Sequence, residues 1–125
     1  LSQQQLDLKP KEANKKISII GVEPPLGHRI QGLKNMKEAI VPSIFREEAL
    51  DEKITIGDEE AFEMTRRLTI EEGIFVGMSS GAAMAAAKRV AEDMRGATIV
   101  VLFPDRGDRY LSTSLFTSIC AKCPP

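Results

Sequence analysis

The sequence has no long hydrophobic run and no excess of charge of either sign. Its 125 residues carry 17 Lys and Arg against 18 Asp and Glu, a formal net charge of −1. Without an excess of positive charge, the protein does not bind nucleic acid or anionic membranes by charge alone. No apolar run approaches the roughly 18 residues of a membrane span, and the polar start at 1–16 lacks the apolar part of a signal peptide. We therefore expect a cytoplasmic protein whose partners are small molecules or other proteins.

Cysteine is also scarce, with only Cys120 and Cys123 in a tail at 117–125. Two thiols supply half of a tetrahedral zinc set, and no second pair or histidine cluster completes it. A redox pair would stand at the start of a helix, whereas this one runs into prolines. We expect inert reduced thiols and no metal. The alternative is that the two cysteines form half of a site that is completed by sequence outside this chain.

Short apolar runs alternate with helical patterns along a chain long enough for one domain. The predicted strands are 17–22, 53–57, 73–77 and 98–103, the predicted helices 59–68 and 82–94, the long loop 26–44 and a short closing element 110–116. This alternation predicts a three-layer α/β fold over 17–116, with a largely parallel sheet and crossover helices. The loops 26–36, 77–81 and 104–108 then open on one edge, where ligands of such sheets collect.

A hydroxyl pair stands at one of these junctions. Ser79 and Ser80 are predicted at the N-cap of the second helix, where backbone N–H groups are free. One serine can cap the helix, which contributes about 1 kcal/mol. The other can then point into the cleft.

Two motifs together resemble the C-terminal part of the cysteine synthase family. They are EEGIFVGMSSGAA at 71–83 and VVLFPDRGDRYLST at 100–113. The family comprises pyridoxal-phosphate enzymes of fold type II, with the tryptophan synthase β-like fold, related to cystathionine β-synthase and threonine synthase. The resemblance implies a complete, usually homodimeric enzyme that forms cysteine from O-acetylserine and sulfide, with serine acetyltransferase as a further partner.

The resemblance also assigns cofactor contacts. Ser79 matches the serine that hydrogen-bonds the pyridine nitrogen of pyridoxal 5'-phosphate, and Gly77 and Ser80 belong to the same turn. A hydroxyl is a neutral partner that leaves this nitrogen unprotonated, which suits expulsion of a β-substituent. Asp105 lies near the ring in the family fold. It can orient Ser79 or a water, or pair with a neighbouring arginine (Arg106 or Arg109), and we favour the pairing because aspartates after strands usually end turns.

The loop 27–32 resembles the family's substrate loop, with Gly27, Gln31 and Gly32 as candidate contacts. Glycines let the backbone approach a ligand closely. His28 lies in the same loop, and we do not expect it to be the general base. A lone loop histidine is more often a packing residue, and the family's base is the lysine that binds the cofactor.

That lysine motif, the asparagine loop for the substrate carboxylate and the Gly-Thr-rich phosphate loop are not found in the sequence. Together with the start at Leu1, this predicts a piece of a longer enzyme that has no catalytic residue of its own and is inactive alone. The alternatives are a cystathionine β-synthase-like or threonine-synthase-like enzyme, or a non-catalytic α/β module for binding or assembly.

Overall fold

The structure is a computed structural model that describes residues 12–38, 40–41, 43, 45–113 and 115–116. The predictions for the first part of the polar lead and for the tail with Cys120 and Cys123 lie outside the described residues.

Two short parallel strands form the sheet of the described chain. Strand β1, Ile20–Glu23, pairs with strand β2, Glu52–Thr55, and Ile20 lies opposite Glu52 in the register. The loop between them contains turns and one 3₁₀ helix, Glu47–Ala49. Its part before residue 45 contains neither strand nor helix among its described residues, as predicted. Parallel pairing with helices after β2 confirms the α/β class.

Helix α1, Asp58–Glu72, confirms the amphipathic prediction. Three acidic residues occupy its first turn, where they interact favourably with the positive end of the helix dipole. The helix ends at Gly73, whose left-handed backbone (φ 68°) closes the last turn with a hydrogen bond from the next residue, Ile74, to Leu68.

Helix α2 is Met78–Glu92, so it begins four residues earlier than predicted. Ser79 and Ser80 therefore lie in its first turn, and the expected N-cap position is wrong. Gly77 is the N-cap, and neither serine makes a capping hydrogen bond. The first turn is buried against the rest of the molecule, and this packing outweighs the poor helix propensity of serine and glycine.

The two helices approach each other closely at Gly81. A Cβ atom built there would lie 2.9 Å from the backbone nitrogen of Thr65 and nearer still to the carbonyl oxygen of Ala61. The small side chains of α2 thus allow backbone to pack on backbone. The buried core lies around this contact and consists of Ile30, Ile56, Ala61, Phe62, Met78, Ala82, Ala85, Ala86, Tyr110 and Leu115. Neither described helix is long and apolar enough to cross a membrane.

The predicted strands at 73–77 and 98–103 are not strands in the described structure. Residues 73–77 contribute one isolated antiparallel bridge, between Val76 and Arg106. Residues 98–103 have no regular structure and are largely exposed, with Val100 91% exposed. A strand requires a neighbour to accept its backbone hydrogen bonds, and no described segment pairs with 98–103.

Candidate functional site

The two serines of α2 are both buried, although only one has a partner. Ser79 is 2% exposed and Ser80 0% exposed. The Ser80 hydroxyl is the one buried side-chain oxygen or nitrogen without a hydrogen bond among the described residues. Ser79 is the second residue of the helix, where backbone N–H groups have no partner within the helix. Its hydroxyl therefore lies at the positive end of the helix dipole.

Asp105 links Ser79 to a tyrosine. The Ser79 hydroxyl donates to Oδ1 of Asp105 at 3.3 Å, and the Tyr110 hydroxyl donates to Oδ2. The favoured pairing of Asp105 with a neighbouring arginine is not among these contacts, and Arg106 forms an ion pair with Asp108 instead. The alternative role, orientation of Ser79, matches the observed geometry.

The backbone holds the two halves of this cluster together. The N–H of Gly77 donates to the Asp105 carbonyl at 3.3 Å, and the N–H of Gly107 donates to the Phe75 carbonyl at 3.2 Å. A Cβ atom at Gly77 would lie 2.6 Å from Oδ1 of Asp105. Glycine at this position therefore lets the carboxylate reach Ser79.

One residue of the predicted substrate loop reaches the cluster. Gly32 has a backbone φ of +90°, which favours glycine, and a Cβ atom there would lie 3.3 Å from the Ser79 hydroxyl oxygen. Gly27 lies apart, since no atom comes within 4 Å of its virtual Cβ and its N–H donates to Glu38. Gln31 is exposed. The structure thus brings Ser79, Gly77, Asp105 and Gly32 together.

Two anchors fix the loop. Asp58, the first residue of α1, accepts hydrogen bonds from the backbone N–H of Arg29 at 2.9 Å and from its Nε at 3.0 Å. This contact also raises the pKa of Arg29. Asn35 is buried and donates to the Pro24 carbonyl at 2.8 Å. The loop position next to Ser79 is therefore held from both sides.

His28 takes part in the loop's own structure. Its Nδ1 accepts a hydrogen bond from the Ile30 N–H at 3.1 Å. This contact supports a packing role and gives no support to a general base. Among the described residues, no group of three or more His, Cys, Asp and Glu side chains is placed to hold a metal ion.

Sequence reasoning missed Tyr110 as a member of the cluster. It belongs to the 3₁₀ helix Gly107–Tyr110 and is 6% exposed. Burial, and then the hydrogen bond to Asp105, raise its pKa to about 12. The only available signal was its spacing, five residues after an aspartate in a turn, which alone is weak.

The cluster offers a ligand one hydroxyl with a single proton and two lone pairs, backed by a carboxylate that only accepts. It lies at a helix N-terminus beside a glycine whose missing side chain leaves room. Such a site suits a ligand that presents a hydrogen-bonding atom to the Ser79 hydroxyl.

Comparisons with known proteins point to one family. The family model described as "Pyridoxal-phosphate dependent enzyme" matches residues 8–105. Cysteine synthase B of Salmonella typhimurium is 42% identical over 106 residues, which cover 85% of this chain and 35% of that protein. The chain thus spans about a third of the length of this relative.

Comparison with solved structures points to the same family. Cysteine synthase from Entamoeba histolytica superposes with a TM-score of 0.80 at 39% identity, over 90% of this chain and 36% of that one. O-ureido-L-serine synthase superposes with a TM-score of 0.81 at 32% identity, over 91% of this chain and 39% of that one. The described fold therefore matches somewhat more than a third of each of these enzymes.

Proposed function

Because the chain belongs to the family of pyridoxal-phosphate dependent enzymes, we propose that it forms the C-terminal part of a cysteine synthase. The complete enzyme, meaning this chain joined to the part of its relatives that it does not span, would form cysteine from O-acetylserine and sulfide. One observation carries the proposal. The buried Ser79 hydroxyl lies at a helix N-terminus opposite Gly32, in a chain 42% identical to a cysteine synthase B.

The described residues fit one edge of the cofactor. Ser79 supplies a hydrogen-bonding hydroxyl, Gly77 lets Asp105 support it, and Gly32 leaves space in front of it. Ser80 contributes a buried hydroxyl that still lacks a partner. The phosphate and the aldehyde would be held by residues of the remaining two thirds, and this chain would supply the contacts at the ring nitrogen.

The choice of serine suits a replacement reaction. Pyridoxal phosphate, when bound, supplies an electron sink for the α-carbon of an amino acid. Ser79 would donate a hydrogen bond to the pyridine nitrogen. Its proton would stay on the hydroxyl oxygen, because a hydroxyl is far less acidic than a carboxylic acid. The sink is then moderate, which favours loss of a β-substituent over longer-lived carbanion chemistry. Gly32 would bring loop backbone towards the substrate.

Two substitutions in the complete enzyme test this role. We expect Ser79→Ala to weaken cofactor binding by about 1 kcal/mol, the worth of one neutral hydrogen bond. Ser79→Asp should lower the steady-state rate of cysteine formation more severely, because a carboxylate favours a protonated ring. Ser112→Ala, at an exposed site, is the control. Near-normal rates in both Ser79 variants would remove Ser79 from the site.

The chain alone should be inactive and should bind the cofactor weakly. A covalent link to the cofactor requires a lysine held at its aldehyde, and the phosphate requires backbone donors. We expect borohydride reduction with pyridoxal phosphate, followed by peptide mapping, to give scattered labelling of surface lysines. Stoichiometric labelling of one lysine, together with cysteine formation, would contradict the proposal of a partial enzyme.

The substrate and the partners need separate assays. The complete enzyme should use sulfide in preference to a thiol amino acid such as homocysteine, and the reverse preference would favour the cystathionine β-synthase-like alternative. A homodimer and binding of serine acetyltransferase are the expected assemblies, which sedimentation with and without that protein tests. The cytoplasmic location stays a prediction.

A further inference from the structure

Asp105 accepts hydrogen bonds from two hydroxyl groups. The Tyr110 hydroxyl donates to Oδ2. The Ser79 hydroxyl lies 3.3 Å from Oδ1, well beyond the 2.7–2.8 Å that is most common for O–H···O hydrogen bonds. The hold of the carboxylate on the Ser79 proton is therefore weak.

We propose that Tyr110 is a positioning residue that holds the Asp105 carboxylate back from Ser79, so that the Ser79 proton stays available to a ligand. The inference rests on the proposed function, in which that ligand is the pyridine nitrogen. Serine has a single proton. If a carboxylate captured it in a strong charge-assisted bond, Ser79 would offer the ligand only lone pairs.

Tyr110 is suited to this task because it is fixed on several sides. It is buried in the core cluster, and its carbonyl accepts hydrogen bonds from the backbone N–H and the hydroxyl of Thr113. Its ring lies against Gly77, so it packs directly beside the start of α2. A buried ring with a fixed backbone sets the position of its hydroxyl, and hence of the carboxylate that this hydroxyl binds.

The effects that raise the pKa of Tyr110 outweigh the one that lowers it. The Asp105 charge and hydrogen bond, after burial, raise the pKa of Tyr110, while the positive charge of Arg109 lowers it. Arg106 pairs with Asp108 in the same segment. The phenol is thus a neutral donor at ordinary pH, which the positioning role requires.

The first test uses the chain without a cofactor. Tyr110→Phe keeps the ring and removes the donor, so the carboxylate should move to its remaining donor, Ser79. We expect hydrogen exchange of the Ser79 hydroxyl, followed by NMR, to slow about tenfold. Adding Asp105→Ser removes the competing carboxylate and should restore fast exchange, while adding Asp108→Ser, the matched control, should not. Unchanged or faster exchange in Tyr110→Phe would overturn the proposal.

The second test uses cofactor binding by the complete enzyme. Tyr110→Phe should weaken binding about fivefold, and the double variant with Asp105→Ser should regain most of this loss. A purely structural role for Tyr110 predicts the opposite, namely that the double variant binds no better than the single one. If the unmodified complete enzyme binds no pyridoxal phosphate, the proposed function fails, and the hydroxyl exchange of the chain still decides the role of Tyr110.

Discussion

Tyr110 is the one tyrosine of a chain without tryptophan, so its ionisation can be followed in isolation. Burial and Asp105 raise its pKa from 10.0 to about 12. A titration of near-ultraviolet tyrosinate absorbance should therefore show one midpoint near 12 in the folded chain and near 10 in urea. Asp105→Asn removes the charge and leaves burial, so its midpoint should fall between those values. Asp108→Asn, which changes an exposed aspartate in the same segment, should leave the midpoint unchanged.

The same shift has a consequence for stability, and its sign follows from proton binding. Between pH 10 and about 12 the folded chain keeps a proton that the unfolded chain loses. The stabilisation is therefore complete below pH 10, and the free energy of unfolding should fall by about 1.4 kcal/mol per pH unit across this window. The fall should be smaller in Asp105→Asn. A folded midpoint near 10, or an Asp105→Asn midpoint equal to that of the unmodified chain, would refute the reasoning.

Two further predictions concern packing around the site. In a urea unfolding titration, Gly81→Ala should lower the free energy of unfolding by about 2 kcal/mol or more, because a methyl group there meets backbone atoms of α1. The control is Gly57→Ala, which has open space around it and should lower the free energy of unfolding by about 1 kcal/mol or less. Asn35→Ala should cost about 1–3 kcal/mol because it leaves the Pro24 carbonyl without its donor, and equal stability of Asn35→Ala and the exposed Asn14→Ala would contradict this.

Local patterns were sufficient for some elements and insufficient for others. Helix α1 could be predicted because its acidic first turn, apolar period and terminal glycine all indicate the same structure. The start of α2 could not, since Gly-Met-Ser-Ser-Gly has the composition of a turn and becomes helical through packing on α1. The apolar run at 98–103 has the composition of a strand, but composition does not supply the neighbour that a strand needs.

In the candidate site, too, some features could be predicted from local sequence patterns and others could not. Ser79 and Gly77 could be proposed from the motif that contains them, and the loop with Gly32 from its position after β1. The Ser79–Asp105 contact, across 26 residues, was one of two alternatives for Asp105. Tyr110 and the Arg29–Asp58 anchor depend on side-chain contacts between distant segments, and no periodicity in a single sequence reports such contacts.

The separation between Ser79 and Asp105 bears on the order in which the chain folds. Helices α1 and α2 are consecutive, so their contact closes a short loop and can form early. The Ser79–Asp105 contact must wait until residues 98–104, which no described strand holds, return to the start of α2. Closing this longer loop costs chain entropy that few local contacts repay. The Gly77 and Gly107 amides should therefore lose protection in openings that leave the helix pair intact, so the contact between Ser79 and Asp105 should open before the helices separate.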